Sequence, residues 1–358
     1  MRSVTSVPSS ASPYENTHEM RPSISDARTS ERRLPLRAQA PFHLEATVRV
    51  LQRRPFNLID RWVDGHYRRT VRAGGRPVLV DVENAGSIEV PDVRLSVISS
   101  GASAAEMAEA QRLVREVLGV ELDPAGPQRR ARAEPALRET CRALRGMRPP
   151  RYPDLFETFA NVIPFQQVSL EAGMAIVARL IRRFGETLVA DGHRHALFPS
   201  AQRIASTRPA SLRDSGLSAR KSQALHAVAR EIALGRLTAL ELADLPSSAA
   251  MERLMELSGI GPWSAALVLL RGFRRLDVFP QADTGAEGGL TRLLRLPSKS
   301  ALTPVIERFG TYRGYLYFYG LASRLLEVGL IHPATRPAER AKPPPRAAAG
   351  RDMRGASG

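Results

Sequence analysis

Between Leu254 and Ala266 the chain reads Leu-Met-Glu-Leu-Ser-Gly-Ile-Gly-Pro-Trp-Ser-Ala-Ala, with glycines at 259 and 261 on either side of Ile260. Apolar spacing on both sides predicts two helices, about 249–257 and 263–273, joined by a hairpin. The glycines permit positive φ and remove Cβ atoms, so a phosphate group can approach the backbone closely. The helix that follows, with Ser264 in its first turn, offers that anion free N–H groups and the positive end of its dipole. Ile260 is expected to pack between the helices and hold the hairpin rigid. Such a device grips one nucleic-acid backbone without reading sequence. Gly-x-Gly alone fits an ordinary helix–turn–helix corner equally well. The second candidate is Asp283, 22 residues after Gly261 in the loop Asp277-Val-Phe-Pro-Gln-Ala-Asp. A carboxylate there is either a helix N-cap or a group that stabilises developing positive charge.

Other reactive residues offer less. His193 and His195 stand in Asp191-Gly-His-Arg-His, with no nearby cysteine and no third ligand at a recognisable spacing, so no metal site is read. The lone Cys141 excludes an intrachain disulfide and any all-cysteine metal or iron–sulfur centre.

These residues sit in a chain of 358 residues, 43% hydrophobic, long enough for two domains. Its 52 Lys+Arg against 36 Asp+Glu give a net charge of +16, which favours a polyanionic partner, nucleic acid before membrane. No apolar run is long enough for a membrane span, and no secretory h-region is read. Residues 1–40 and 334–358 are rich in Ser, Pro, Ala and Arg and read as disordered tails.

Residues 41–130 read as a small antiparallel sheet with a helix packed on it. Alternation over 43–50 suggests a first strand, and 67–71, 78–82 and 93–98 suggest more. Ser103 opens a helix that Gly119 ends. From about 135 the strands are expected to vanish. Helices are read over 135–144, 167–184, 219–234, 249–257, 263–273, 287–294 and 312–328. The expected fold is therefore α+β, an N-terminal antiparallel sheet domain with its helix followed by an all-α domain over 131–333.

The hairpin, the loop and Asp283 resemble the helix-hairpin-helix DNA glycosylase superfamily, and within it the 3-methyladenine DNA glycosylase II type. Arg148-Pro-Pro-Arg151, Phe165-Gln-Gln-Val-Ser169 and Gly216-Leu-Ser-Ala-Arg-Lys221 support the resemblance by order and spacing. It covers about 41–333 and is strongest over 148–283. The resemblance implies a monofunctional enzyme that flips an alkylated purine out of double-stranded DNA and hydrolyses its N-glycosidic bond in base-excision repair. Asp283 would be the catalytic carboxylate. Trp263, Tyr312 and Phe165 would border the base, and Gln167 would fill the hole left by the flipped nucleotide. Gly259, Ile260, Gly261 and Ser264 would hold the DNA backbone, with Lys221, Arg271 and Arg313 as further phosphate contacts. Related glycosylase/lyases carry a nucleophilic lysine where Trp263 stands, so no lyase step is expected.

The resemblance also implies no organic cofactor, a structural monovalent cation at the hairpin, a monomer, and a cytoplasmic, nucleoid-associated setting. The chain departs from the family at Pro164-Phe165, at Phe309 and Thr311, and after Asp283. There Gly288-Gly289 weaken a helix start, and Glu287 is an acid where a base facing phosphate is easier to explain. Two readings stand beside this one: the same fold with a preference for hypoxanthine or uracil, or a non-catalytic protein that binds damaged DNA.

Overall fold

The computed structural model describes residues 30–334. The expected tails therefore lie outside the described residues except for 30–40 and Ala334. The N-terminal part runs β1 (Ser30–Leu36), α1 (Leu44–Gln52), β2 (Arg61–Val63), β3 (His66–Ala73), β4 (Arg76–Asn84), β5 (Val93–Ser99) and α2 (Ala104–Leu118). The five strands form one antiparallel sheet in the order β1-β5-β4-β3-β2. Helix α2 starts on a capping box between Ser103 and Glu106 and ends at Gly119 in the left-handed region. It buries Met107, Ala110, Val114 and Val117 against one face of the sheet, in a core with Tyr67, Val80 and Leu95.

Two expectations fail here. Residues 43–50 form helix α1, not a strand. His43 caps it, its Nδ1 accepting the Ala46 N–H, and the buried set Leu44, Ala46, Thr47, Val48, Val50 and Leu51 covers a broad helical face. Apolar residues two apart also fall three and four apart in this segment, so alternation did not separate two faces. Residues 30–36, read as tail, form edge strand β1, in register from Ser30 opposite Ser99 to Leu36 opposite Val93. Its side chains are mostly exposed, so it carries no apolar pattern.

The helical part runs α3 (Ala125–Ala133), α4 (Arg138–Ala143), α5 (Leu155–Ala160) and α6 (Leu170–Phe184). A hairpin of β6 (Glu186–Ala190) and β7 (His193–Leu197) follows. Then come α7 (Ala201–Ala205), α8 (Pro209–Leu212), α9 (Ala219–Ala233), α10 (Ala239–Asp244), α11 (Ser247–Met255), α12 (Pro262–Gly272), α13 (Thr284–Leu293), α14 (Leu302–Phe309) and α15 (Arg313–Glu327). The β6–β7 hairpin corrects the expectation that strands end near 135. Asp191 and Gly192 both have positive φ, the geometry of a two-residue hairpin turn. Leu188 and Ala190 pack on Leu79 and Ile98 of the sheet, so the hairpin ties the two parts together. No helix among the described residues is long and apolar enough to cross a membrane.

A buried ion cluster joins the parts more firmly. Arg69 on β3 donates to Asp60 at 2.7 Å and to Glu157 on α5 at 2.5 Å, and the Tyr67 hydroxyl donates to Asp60 at 2.8 Å. Burial pushes the Glu157 carboxyl from 4.5 up to about 8, against the pull of Arg69. A carboxyl raised in the folded state stabilises fully below its ordinary value, and that stability is lost as pH rises through about 8. The melting temperature of the protein should therefore fall over this window more steeply than that of Glu157→Gln. Parallel curves would place the titration elsewhere. Arg69→Leu, which leaves two buried carboxyl groups without their donor, should cost about 3–5 kcal/mol in denaturant unfolding.

Candidate functional site

The two hairpin glycines are needed for different reasons. Gly259 has φ +82°, and a Cβ built on it would come within 2.7 Å of the Ala224 Cβ on α9. Gly261 is extended at φ −101°, and a Cβ there would meet nothing within 4 Å. Gly259 is thus demanded by the fold, whereas Gly261 leaves an exposed surface bare. Ile260 between them is 5% exposed and joins the helical core, as expected. Gly261 begins α12 with no side chain capping it and Pro262 in the first turn, so the leading N–H groups face outward unpaired within the helix. Ser264 is buried instead of facing a phosphate. Its hydroxyl and the Gly259 carbonyl both accept from the Gln166 side chain, each at 2.9 Å. Gln166 therefore fastens the hairpin to the segment ahead of α6.

Asp283 caps α13, its Oδ1 accepting the Ala286 N–H at 2.8 Å. Its Oδ2 accepts the indole N–H of Trp263 at 3.1 Å. Of the two readings of Asp283 the structure shows the N-cap, and the cap leaves the carboxylate half-exposed in a cleft. Glu287 now has a role. It accepts the N–H of Ala282, a non-glycine residue at φ +62°, and so fastens the turn that delivers Asp283.

The cleft holds about 1070 Å³ and is walled by Trp263, Asp283, Phe165, Tyr317, Leu321 and Arg53, among others. Gln167 and Lys221 line it as well. Gln167 is exposed at φ +55°, outside the helix expected to start there, because α6 begins only at Leu170 behind the Ser169 cap. A left-handed non-glycine residue at a cleft rim is backbone strain held by its surroundings. Lys221 donates to the Pro164 carbonyl at 3.1 Å, and burial lowers its pKa.

Three predicted site residues fall elsewhere. Tyr312 does not line the cleft. Its hydroxyl lies against α3, where a Cβ on Gly126 would meet it at 2.4 Å. Arg313 is also outside the cleft and donates to the Gly310 carbonyl at 2.9 Å. Arg271 is fully buried between the Tyr152 and Phe318 rings, out of reach of any phosphate. Its neighbours are committed too. Arg274 donates to the Pro149 and Val117 carbonyls, and burial pushes its pKa down to about 9. Arg275 donates to the carbonyls closing α10.

Sequence reasoning missed Arg53, Tyr317 and Gln166 as parts of the site. Tyr317 belongs to a buried aromatic run with Tyr315, Phe318 and Tyr319, and of the four it alone also lines the cleft. Arg53 ends α1 in the sheet domain at φ +61°, with its guanidinium 5.0 Å from the Phe165 ring. Burial works against its charge, but Tyr152, Tyr317, Asp283 and Asp60 offset this, so its pKa is raised. Nothing local to the motif points to it.

Comparison with known proteins fits this geometry. Residues 160–309 match the HhH-GPD superfamily of base excision DNA repair proteins, and residues 33–154 match the AlkA N-terminal domain. The chain is 30% identical over 192 residues to a DNA-3-methyladenine glycosylase of Bacillus subtilis, covering 53% of this chain and 63% of that one. It is 28% identical over 314 residues to a probable bifunctional transcriptional activator/DNA repair enzyme AlkA of Mycobacterium tuberculosis, covering 87% and 59%. The chain thus spans about six tenths of the length of these curated relatives. A solved 3-methyladenine DNA-glycosylase from Archaeoglobus fulgidus superposes with a TM-score of 0.69 at 26% identity, over 83% of this chain and 99% of that one.

The hairpin geometry yields a stability test. Gly259→Ala should destabilise by about 1–3 kcal/mol, from the positive φ and the clash with α9. Gly261→Ala should change stability by less than about 0.5 kcal/mol in the same urea titration. Equal losses would contradict the division of roles.

Proposed function

Since this chain belongs to the HhH-GPD superfamily of base excision DNA repair proteins and carries an AlkA N-terminal domain, we propose that it is a DNA glycosylase acting as a monomer on duplex DNA with alkylated purines. The observation that carries this reading is the Asp283 carboxylate, held by Trp263 and by the start of α13 inside a cleft large enough for a base. The relatives named as 3-methyladenine DNA glycosylases support an alkylated purine.

In this mechanism the outward N–H groups at the start of α12 take a backbone phosphate beside the bare Gly261. Gln167, at the rim, enters the stack where the target nucleotide leaves it. The base enters the cleft among Phe165, Trp263 and Tyr317, whose π-faces suit an electron-poor alkylated purine. As the bond from C1′ to the base nitrogen lengthens, its electron pair goes to the base and positive charge grows on the sugar. Asp283 stabilises that charge and takes the proton of the attacking water. Trp263 cannot form a Schiff base, so the product is an abasic site in an intact strand.

The hairpin also suits a structural monovalent cation. The Leu257 and Gly259 carbonyls each accept one hydrogen bond and retain a second lone pair, and neutral carbonyls are the donors such an ion takes. When bound, the ion would add positive charge beside the phosphate. The proposed chemistry needs no organic cofactor, and its substrate implies a cytoplasmic, nucleoid-associated setting.

Asp283→Asn should lower single-turnover formation of alkali-labile sites in methylated duplex by about 10²–10⁴-fold. Its affinity for the same duplex should stay near that of the unaltered protein. Undiminished excision would remove Asp283 from the mechanism. Borohydride should trap no covalent protein–DNA adduct, and a stoichiometric adduct would contradict the absence of a lyase step.

A further inference from the structure

We propose that α3 and α4 carry a second DNA-binding surface, turned away from the cleft, that holds another segment of duplex while the cleft holds the first. The inference rests on the reading that the cleft takes duplex DNA, and it goes beyond that reading by giving one chain two duplex sites.

Residues 125–145 hold six arginines against two glutamates. Arg129 and Arg132 on α3, and Arg138 and Arg142 on α4, are exposed and form no ion pair with any described residue. The two helices pack on each other and carry a single acid, Glu139. Glu134, between them, is taken by Arg308 at 3.2 Å. Many exposed arginines elsewhere sit beside an acid, as Arg112 does beside Glu116, Arg183 beside Asp214 and Arg236 beside Glu231. Four guanidiniums without such partners on two adjacent short helices repel one another until a counter-charge arrives.

None of the four lines the cleft, and α15 stands between them and it. Tyr317, Leu321 and Arg324 of α15 line the cleft, whereas Tyr319 meets the Cys141 thiol of α4. At about 3.6 residues per turn, Tyr319 falls on the opposite side of α15 from those three. A duplex seated on the hairpin therefore has a helix between itself and the arginines, and the anion they take is a different one.

A guanidinium forks onto two phosphate oxygens, and a group of them suits the evenly spaced charges of a duplex backbone. A protein partner would ask for an apolar centre inside the charged rim, and a membrane for apolar anchors. Neither α3 nor α4 has a large exposed apolar side chain. A chain that grips a second segment before it releases the first passes between segments without entering solution.

The test uses the full chain and a variant with Arg129→Gln, Arg132→Gln, Arg138→Gln and Arg142→Gln together. Duplex on beads is saturated with protein and offered a second, labelled duplex, and native mass spectrometry gives the stoichiometry. The unaltered protein should hold the second duplex as one chain with two duplexes. The variant should hold it at least about tenfold less, and its slope of log affinity against log salt for that duplex should flatten by about 3–4. Single-turnover base release from a short methylated duplex should change by less than about twofold, which also shows that the variant is folded. Arg→Lys at the same four positions keeps the charge and should restore capture within about threefold. Undiminished capture by the Gln variant would overturn the proposal. Parallel losses of capture and base release would too, because one duplex would then touch both faces. So would capture that needs two chains for two duplexes, or charge-dependent binding of phosphatidylserine vesicles that duplex DNA fails to displace. Two duplexes held with no base released would support this surface and contradict the glycosylase reading, so the two fail separately. An unaltered protein that binds not even the first duplex would overturn both.

Discussion

The indole N–H of Trp263 meets one oxygen of Asp283, and the first turn of α13 takes the other. A carboxylate held by two donors from two directions is restrained in rotation, and this one lines the cleft. Each donor depends on a separate piece of fold. Trp263 is placed by the hairpin, which needs Gly259 in the left-handed region and Ile260 in the core. Asp283 is placed by a turn through Ala282 that Glu287 fastens from within α13. Gln166 couples the hairpin to the segment bearing Phe165 and Gln167. One contact between side chains thus fixes the relative position of the uncapped start of α12, a carboxylate and Gln167 at the cleft rim.

The second constraint is the union of the two parts of the chain. The cleft lies among helices of the C-terminal part, yet Arg53 enters it from the end of α1. That placement requires the sheet to be held on the helical part. The Arg69 cluster does this from within, and the β6–β7 hairpin does it on the sheet surface. Three buried ionisable groups at a junction are expensive to place and more expensive to break singly, which makes the junction specific.

The helical domain was largely legible because its signals are local. Ser103 caps the helix it was expected to open, Ser169 and Ser218 cap the helices read over 167–184 and 219–234, and Gly119 ends α2. Hairpin, Trp263 and Asp283 were legible as a spaced constellation, and the structure brings them together. What failed depends on long-range contact. Strand β1 opens on four exposed polar residues, and only Leu34 and Leu36 turn toward the core, so its pairing with β5 defines it. Helix α1 and a half-buried strand share one apolar pattern over eight residues. Arg271 and Tyr312 have the right residue types near the right motif, but the core claims one and α3 the other. Arg53 is invisible for the opposite reason: it lies far from the motif in sequence and reaches it only through the domain junction.

The central claim is that this cleft breaks an N-glycosidic bond instead of merely holding bent or damaged DNA. The most direct measurement is to incubate the purified protein with duplex DNA treated with a methylating agent and to identify by mass what is set free. The account predicts free methylated purine bases in amounts matched by new abasic sites, with the strands unbroken. Tight binding to that duplex with no base released would contradict it.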